Sequence, residues 1–278
     1  MPLSHLPAAV SAWFSQSVGA LDRRSAPRLL GLLLGALFAR GRRTVTSWFR
    51  AAGITDDFRP AYNALWAAGR RADALAYRLL GCALLPLMRR TPGDRLLFAI
   101  DDTPTARYGP RVQGAGVHHN PTPGPAGEKF VYGHVWVTLA ALAKHPVWGT
   151  IALPLQARLY LRHRDLAKLP PERPRVFRTK LEMAAEQLRW LKPWVENDFE
   201  ELWAVVDGGY AKKPFLKAAT AAGYTVVSRL RKDAALWSLP LPKPSSQRGP
   251  QATYGKERIS LAKRAGQQRG WQPVECVQ

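Results

Sequence analysis

Apolar residues fall into two rhythms along this chain, and the change between them comes near Gly93. Up to that point the spacing is helical. Leu29, Leu30, Leu33, Leu34, Leu37 and Phe38 recur at three- and four-residue intervals, and Ala-rich stretches follow at 61–69 and 72–85. Gly41, Gly53 and Gly81 punctuate these segments. Between two of them, RGRRTVTSWFRAAGI predicts a short helix carrying Trp48, Phe49 and Arg50, capped by Thr44 or Thr46. Beyond Gly93 the apolar runs shorten and turn residues bound them. RLLFAIDD reads as a buried strand ending in two carboxylates and a Thr-Pro turn, with a Gly/Pro-rich loop at 109–127. FVYGHVWVTLAAL and WGTIALPLQARLYL read as long strands around a His145-Pro146 turn. A helix with Phe177, Leu181, Ala184, Leu188 and Leu191 on one face comes next. ELWAVVDGGY is a buried strand ending in a carboxylate, residues 212–222 suit a helix closed by Gly223, and YTVVSRLR is a last strand.

The predicted order is strand, strand, strand, helix, strand, helix, strand, an α/β mixed sheet behind an all-helical N-terminal domain. It divides the chain into a helical domain at 1–92, a core at 93–237 and a basic segment at 238–278, where periodicity fades. The order also gives the acidic residues a shared location. Asp101 and Asp102 close the first strand and Asp207 the fourth; parallel neighbours joined by right-handed crossovers carry their carboxyl ends to one edge. Carboxylates held close together repel unless a cation lies between them, and hard oxygen ligands suit Mg²⁺ or Mn²⁺.

Charge supplies a substrate class. The chain has 41 Lys and Arg against 20 Asp and Glu, a net +21. The excess is spread over all three segments, with thirteen arginines and no lysine against four aspartates in the first. Such a surplus points to a polyanion, because Lys and Arg displace the counterions condensed on phosphate. Arg40, Arg42, Arg43 and Arg50 are the candidate DNA contacts of the helical domain; Lys212, Arg229 and Arg231 are those near the strand ends. Tyr210, three residues after Asp207, is placed to meet DNA, while His118 and His119 are expected to be neutral hydrogen-bonding groups. His134 is expected to be packed or half exposed, and Trp136, Trp148 and Trp203 to belong to the core. Cys82 and Cys276 are too few for a thiolate metal site or a disulfide framework. The apolar stretch at 29–39 is too short to span a bilayer, so a cytoplasmic, nucleoid-associated protein with no membrane partner is expected.

AIDDTPTARYGPRVQGAGVHHNPTPGPAGEKFVYGHVWVTLA, LWAVVDGGYAKKPFL and YTVVSRLRK together resemble the cut-and-paste insertion-sequence transposases of the DDE superfamily, from about Arg40 onward. The resemblance implies an RNase H-like core and Mg²⁺-dependent nicking and strand transfer at the terminal repeats of double-stranded transposon DNA. A homodimer on paired ends is one arrangement it leaves open. It puts the first acidic residue on the DDT turn, with Asp102 the first choice and Asp101 the second, and the next on Asp207. The family's third carboxylate, usually Glu, belongs on a helix beyond a strand-rich insertion. Glu257 and Glu275 fall too early for it, so a fragment or truncated element is expected. A truncated element that only binds DNA is the alternative to a cutting enzyme.

Overall fold

The structure, a computed structural model, describes residues 8–41, 44–88, 95–109, 111–120, 127–170, 176–197, 199–230, 234–244, 248–267 and 269. Its contacts divide the chain into one unit at 1–227 and a second at 228–278.

The helical rhythm becomes α1 (Ala8–Ser17), α2 (Ser25–Phe38), α3 (Val45–Ala51), α4 (Arg59–Arg70), α5 (Ala72–Leu79) and, after one π-turn, α6 (Leu85–Met88). Thr44 is the cap of α3, its side chain accepting from the Ser47 N–H. Leu32, Phe49 and Ala61 form a small core joining α2, α3 and α4, with Phe49 against both Phe58 and Tyr62. Helix α2 is less buried than its composition predicts, for Leu33, Leu37 and Phe38 face solvent. Helix α5 belongs to a different core. Ala76, Leu80 and Leu84 pack into the large cluster beneath the sheet, and Gln156 of the sheet donates to Asp73 at 2.6 Å.

The sheet is mixed. Its strands are β1 (Arg95–Ala106), β2 (Gly116–His119), β3 (Phe130–His145), β4 (Gly149–Tyr160), β5 (Glu201–Val206) and β6 (Tyr224–Ser228). The order is β2-β3-β1-β5-β6, with β4 also on β3. Strand β1 runs antiparallel to β3 and parallel to β5. Three further helices follow the strands: α7 (His163–Leu166), α8 (Lys180–Leu191) and α9 (Lys213–Ala221). This is a mixed α/β fold with N-terminal helices, consistent with the RNase H-like class.

One face of the sheet carries the core. Phe98 and Ile100 of β1 lie level with Ala141 and Leu139 of β3, and Leu96, Phe98 and Ile100 lie level with Leu202, Ala204 and Val206 of β5, beneath Met183, Ala184, Leu188 and Leu191 of α8. The opposite face, with Leu97, Ala99, Trp203 and Val205, is only partly covered.

Three sequence expectations change. Asp101 and Asp102 do not end β1, which continues through Thr103 and Pro104 to Ala106 opposite β3. The β1–β5 ladder stops at Ile100↔Val206, so β1 beyond it is paired on one side only, where a proline costs no ladder hydrogen bond. The Gly/Pro loop contains the short strand β2, which pairs with Phe130–Gly133 of β3. Trp148 is exposed, stacked on His145, rather than buried. The second unit holds β7 (Leu236–Trp237) antiparallel to β8 (Arg258–Ile259), and α10 (Leu261–Ala265).

Candidate active site

The parallel pairing of β1 with β5 brings the acidic residues to one place. Ile100 is level with Val206, so Asp101 and Asp102 on one strand and Asp207 after the other follow directly from the last paired residues. Alternation along β1 then separates the two neighbours. Asp102 lies level with the fully buried Val137, on the face that α8 covers, and its side chain is 22% exposed. Asp101 takes the other, more open face.

Both oxygens of Asp102 have partners. Oδ2 receives Lys180 Nζ at 2.5 Å, and Oδ1 accepts from the Tyr210 hydroxyl at 3.3 Å. Asp207 closes the turn after β5: its Oδ1 accepts from the N–H groups of Gly209 at 2.9 Å and Tyr210 at 3.2 Å. That turn leads within a few residues to α9, whose first turn contains Pro214.

The three carboxylates feel one another. Partial burial raises the Asp101 pKa above the ordinary carboxylate value, and the charges of Asp102 and Asp207 push it further. The Asp102 N–H and the Lys180 ammonium oppose that rise. Tyr210 is 2% exposed, and burial, followed by the Asp102 and Asp101 charges, holds its hydroxyl protonated far above the usual phenol range. The tyrosine expected to meet DNA is therefore a buried donor to Asp102, with its ring edge against Phe215.

Lys180 went unremarked in the sequence. Its signal is the Thr179-to-Glu182 capping box: Thr179 accepts from the Glu182 N–H, and Glu182 accepts from the Thr179 N–H at 2.8 Å. That box fixes the first turn of α8 and projects Lys180 toward β1, with Nζ 5.5 Å from the centre of the Tyr160 ring.

Tyr160 has Lys180 on its face and His118 at its edge. His118 is 9% exposed, lies edge-on to Tyr160, and its Nε2 has no hydrogen-bond partner. Burial, then the Arg162 and Lys180 charges, lower its pKa and favour the neutral ring. Arg162 donates through Nε to Asp165 at 2.5 Å and through its guanidinium to the Val117 carbonyl. His134 is buried, with Nε2 2.9 Å from the Gln113 carbonyl.

The remaining candidates are scattered. Arg40, Arg50 and Lys212 are exposed, Arg50 in the last turn of α3 and Lys212 at the cap of α9. Arg229 is exposed in the second unit, as is Glu257. Arg42, Arg43 and Arg231, with Glu275 and Cys276, lie outside the described residues.

The donor set is chemically suited to a hard divalent cation, being carboxylate oxygen throughout. A stand-in is present, for the Lys180 ammonium already occupies a cation position on Asp102. Among the described residues no group of three or more His, Cys, Asp or Glu side chains is arranged to hold a metal ion. Nor is any helix among them long and apolar enough to cross a membrane.

No curated protein matches the chain at a significant level. The family model described as DDE superfamily endonuclease matches residues 14–276, nearly the whole sequence, which includes both aspartate strands and the helices before them. The chain belongs to the DDE superfamily endonucleases.

Proposed function

We propose that this endonuclease is a DNA transposase that nicks double-stranded DNA at transposon ends and transfers the cut strand, using Mg²⁺ or Mn²⁺ held by Asp102 and Asp207. The observation that carries the reading is the β1–β5 pairing, which sets Asp101, Asp102 and Asp207 just past one level of the sheet. Membership of the DDE endonucleases and a net charge of +21 support DNA as the substrate. Asp102 and Asp207 would hold the divalent cation, which would supply activation of the attacking oxygen and stabilisation of the leaving one in phosphodiester cleavage.

The chain's own residues define the rest. Asp207 is held by the Gly209 and Tyr210 N–H groups, so its carboxylate is oriented before any ligand arrives. Tyr210, kept protonated by burial, donates to Asp102 and fixes the orientation of that carboxylate in the same way. Asp101 is the second candidate for the first ligand. Its raised pKa makes it the poorer anionic donor and favours Asp102, which directly precedes Thr103. Arg40 and Arg50 on the helical module, Lys212 at α9 and Arg229 in the second unit are the proposed phosphate contacts, with Arg42, Arg43 and Arg231 beside them in the sequence.

The test uses duplex DNA carrying the element's terminal repeats, with a scrambled duplex as control. A transposase nicks the repeat ends in Mg²⁺ and yields joined products when target DNA is added. Retention of the duplex without nicks establishes the binding-only alternative, and nicks indifferent to the repeats establish a general nuclease.

A further inference from the structure

We infer that Lys180 is a resident counter-ion of the active site, occupying Asp102 in the metal-free protein and displaced when the divalent cation loads. The inference rests on Asp102 being a metal ligand, as proposed above.

Three observations lead to it. First, Asp102 holds the Lys180 ammonium at 2.5 Å on one oxygen and the Tyr210 hydroxyl at 3.3 Å on the other, so a divalent cation on this carboxylate meets a like charge at close range in Lys180. Second, Lys180 stands at the first position of α8, where a cation opposes the helix dipole. A lysine there is locally unfavourable, and Asp102 is what it gains in return. Third, the two partners differ in freedom. Tyr210 is 2% exposed and wedged against Phe215, whereas the Lys180 side chain is 36% exposed on a flexible stem. Lys180 is the group that moves.

The arrangement gives the site two states. Without metal, the ammonium neutralises Asp102 among three mutually repelling carboxylates and keeps it oriented. A bound divalent cation would supply that charge instead, leaving Lys180, whose ammonium lies 5.5 Å from the centre of the Tyr160 ring, free to meet an incoming phosphate. Lys180 is therefore a positioning residue whose contact with Asp102 competes with cofactor loading.

Calorimetric titration of the full chain with Mn²⁺ alone, in the absence of DNA, tests this directly. Lys180→Met keeps the stem and removes the charge, and is expected to bind Mn²⁺ about three- to tenfold more tightly than the native chain, because no partly buried ion pair has to be broken. Lys180→Arg, which keeps the charge, is expected to bind no more tightly than the native chain. A thermal melt of each variant verifies that it is folded. Unchanged or weaker Mn²⁺ binding in folded Lys180→Met overturns the counter-ion role and makes Lys180 a structural clamp. Mn²⁺ binding that persists unaltered in both Asp102→Asn and Asp207→Asn instead overturns the underlying assignment of the metal ligands.

Discussion

At the scale of single residues, Asp165 shows how this basic protein uses a buried charge. It is 3% exposed, and burial alone would raise its pKa. Hydrogen bonds from Arg162 and Lys168 outweigh that and hold it below the ordinary carboxylate value. A depressed acid contributes stability that is present above the unfolded pKa and lost as pH falls through the folded one. The melting temperature of the native chain is therefore expected to fall between about pH 5 and pH 3, and that of Asp165→Asn to fall less steeply over the same window. Equal slopes in the two proteins contradict the assignment. The same scale shows what the sequence could reveal of the site. The shared level of Asp102 and Asp207 was legible because an acidic residue after a buried apolar run is uncommon, and two such runs invite pairing. Lys180 was not, since a lysine at a helix start obeys no propensity and acquires meaning only from Asp102, 78 positions away. Tyr210 was misjudged because a turn has no periodicity to tell a buried ring from an exposed one.

At the scale of elements, close approach decides more than propensity. Gly35 lies inside α2, where alanine normally stabilises a helix by about 1 kcal/mol. A Cβ at this position runs into the backbone carbonyl of Trp48 in α3, and such overpacking costs about 1–3 kcal/mol. The clash wins: Gly35→Ala is expected to lower the melting temperature and to weaken duplex binding by loosening α2 against α3. A stabilised variant contradicts the packing. Strand lengths were the least legible part of the fold. A Thr-Pro pair reads as a turn, yet β1 runs through it because β5 has ended and the proline lacks a partner to lose. Likewise β4 admits Pro154 beside a register shift, on a strand that pairs only with β3. The four residues of β2 carry too little pattern to stand out from a Gly/Pro loop.

At the scale of the whole molecule, the charge and the aspartates make separate contributions that separate measurements can distinguish. Net charge of +21 predicts duplex affinity that falls steeply with salt, by about a hundredfold or more between 50 and 200 mM if several phosphates are neutralised. Asp102→Asn and Asp207→Asn are expected to leave that slope intact, since neither removes a cation. A salt-independent mobility shift contradicts the electrostatic account. Cleavage is the stricter criterion. Partners that merely orient metal ligands contribute about 10–100-fold, so losing a ligand itself is expected to cost at least about a hundredfold. The decisive measurement is the single-turnover rate of Mg²⁺-dependent nicking of terminal-repeat duplex by the native chain, Asp102→Asn and Asp207→Asn. The account predicts nicking by the native chain alone, with both variants folded, binding DNA and essentially silent. A folded Asp207→Asn that nicks at the native rate contradicts it.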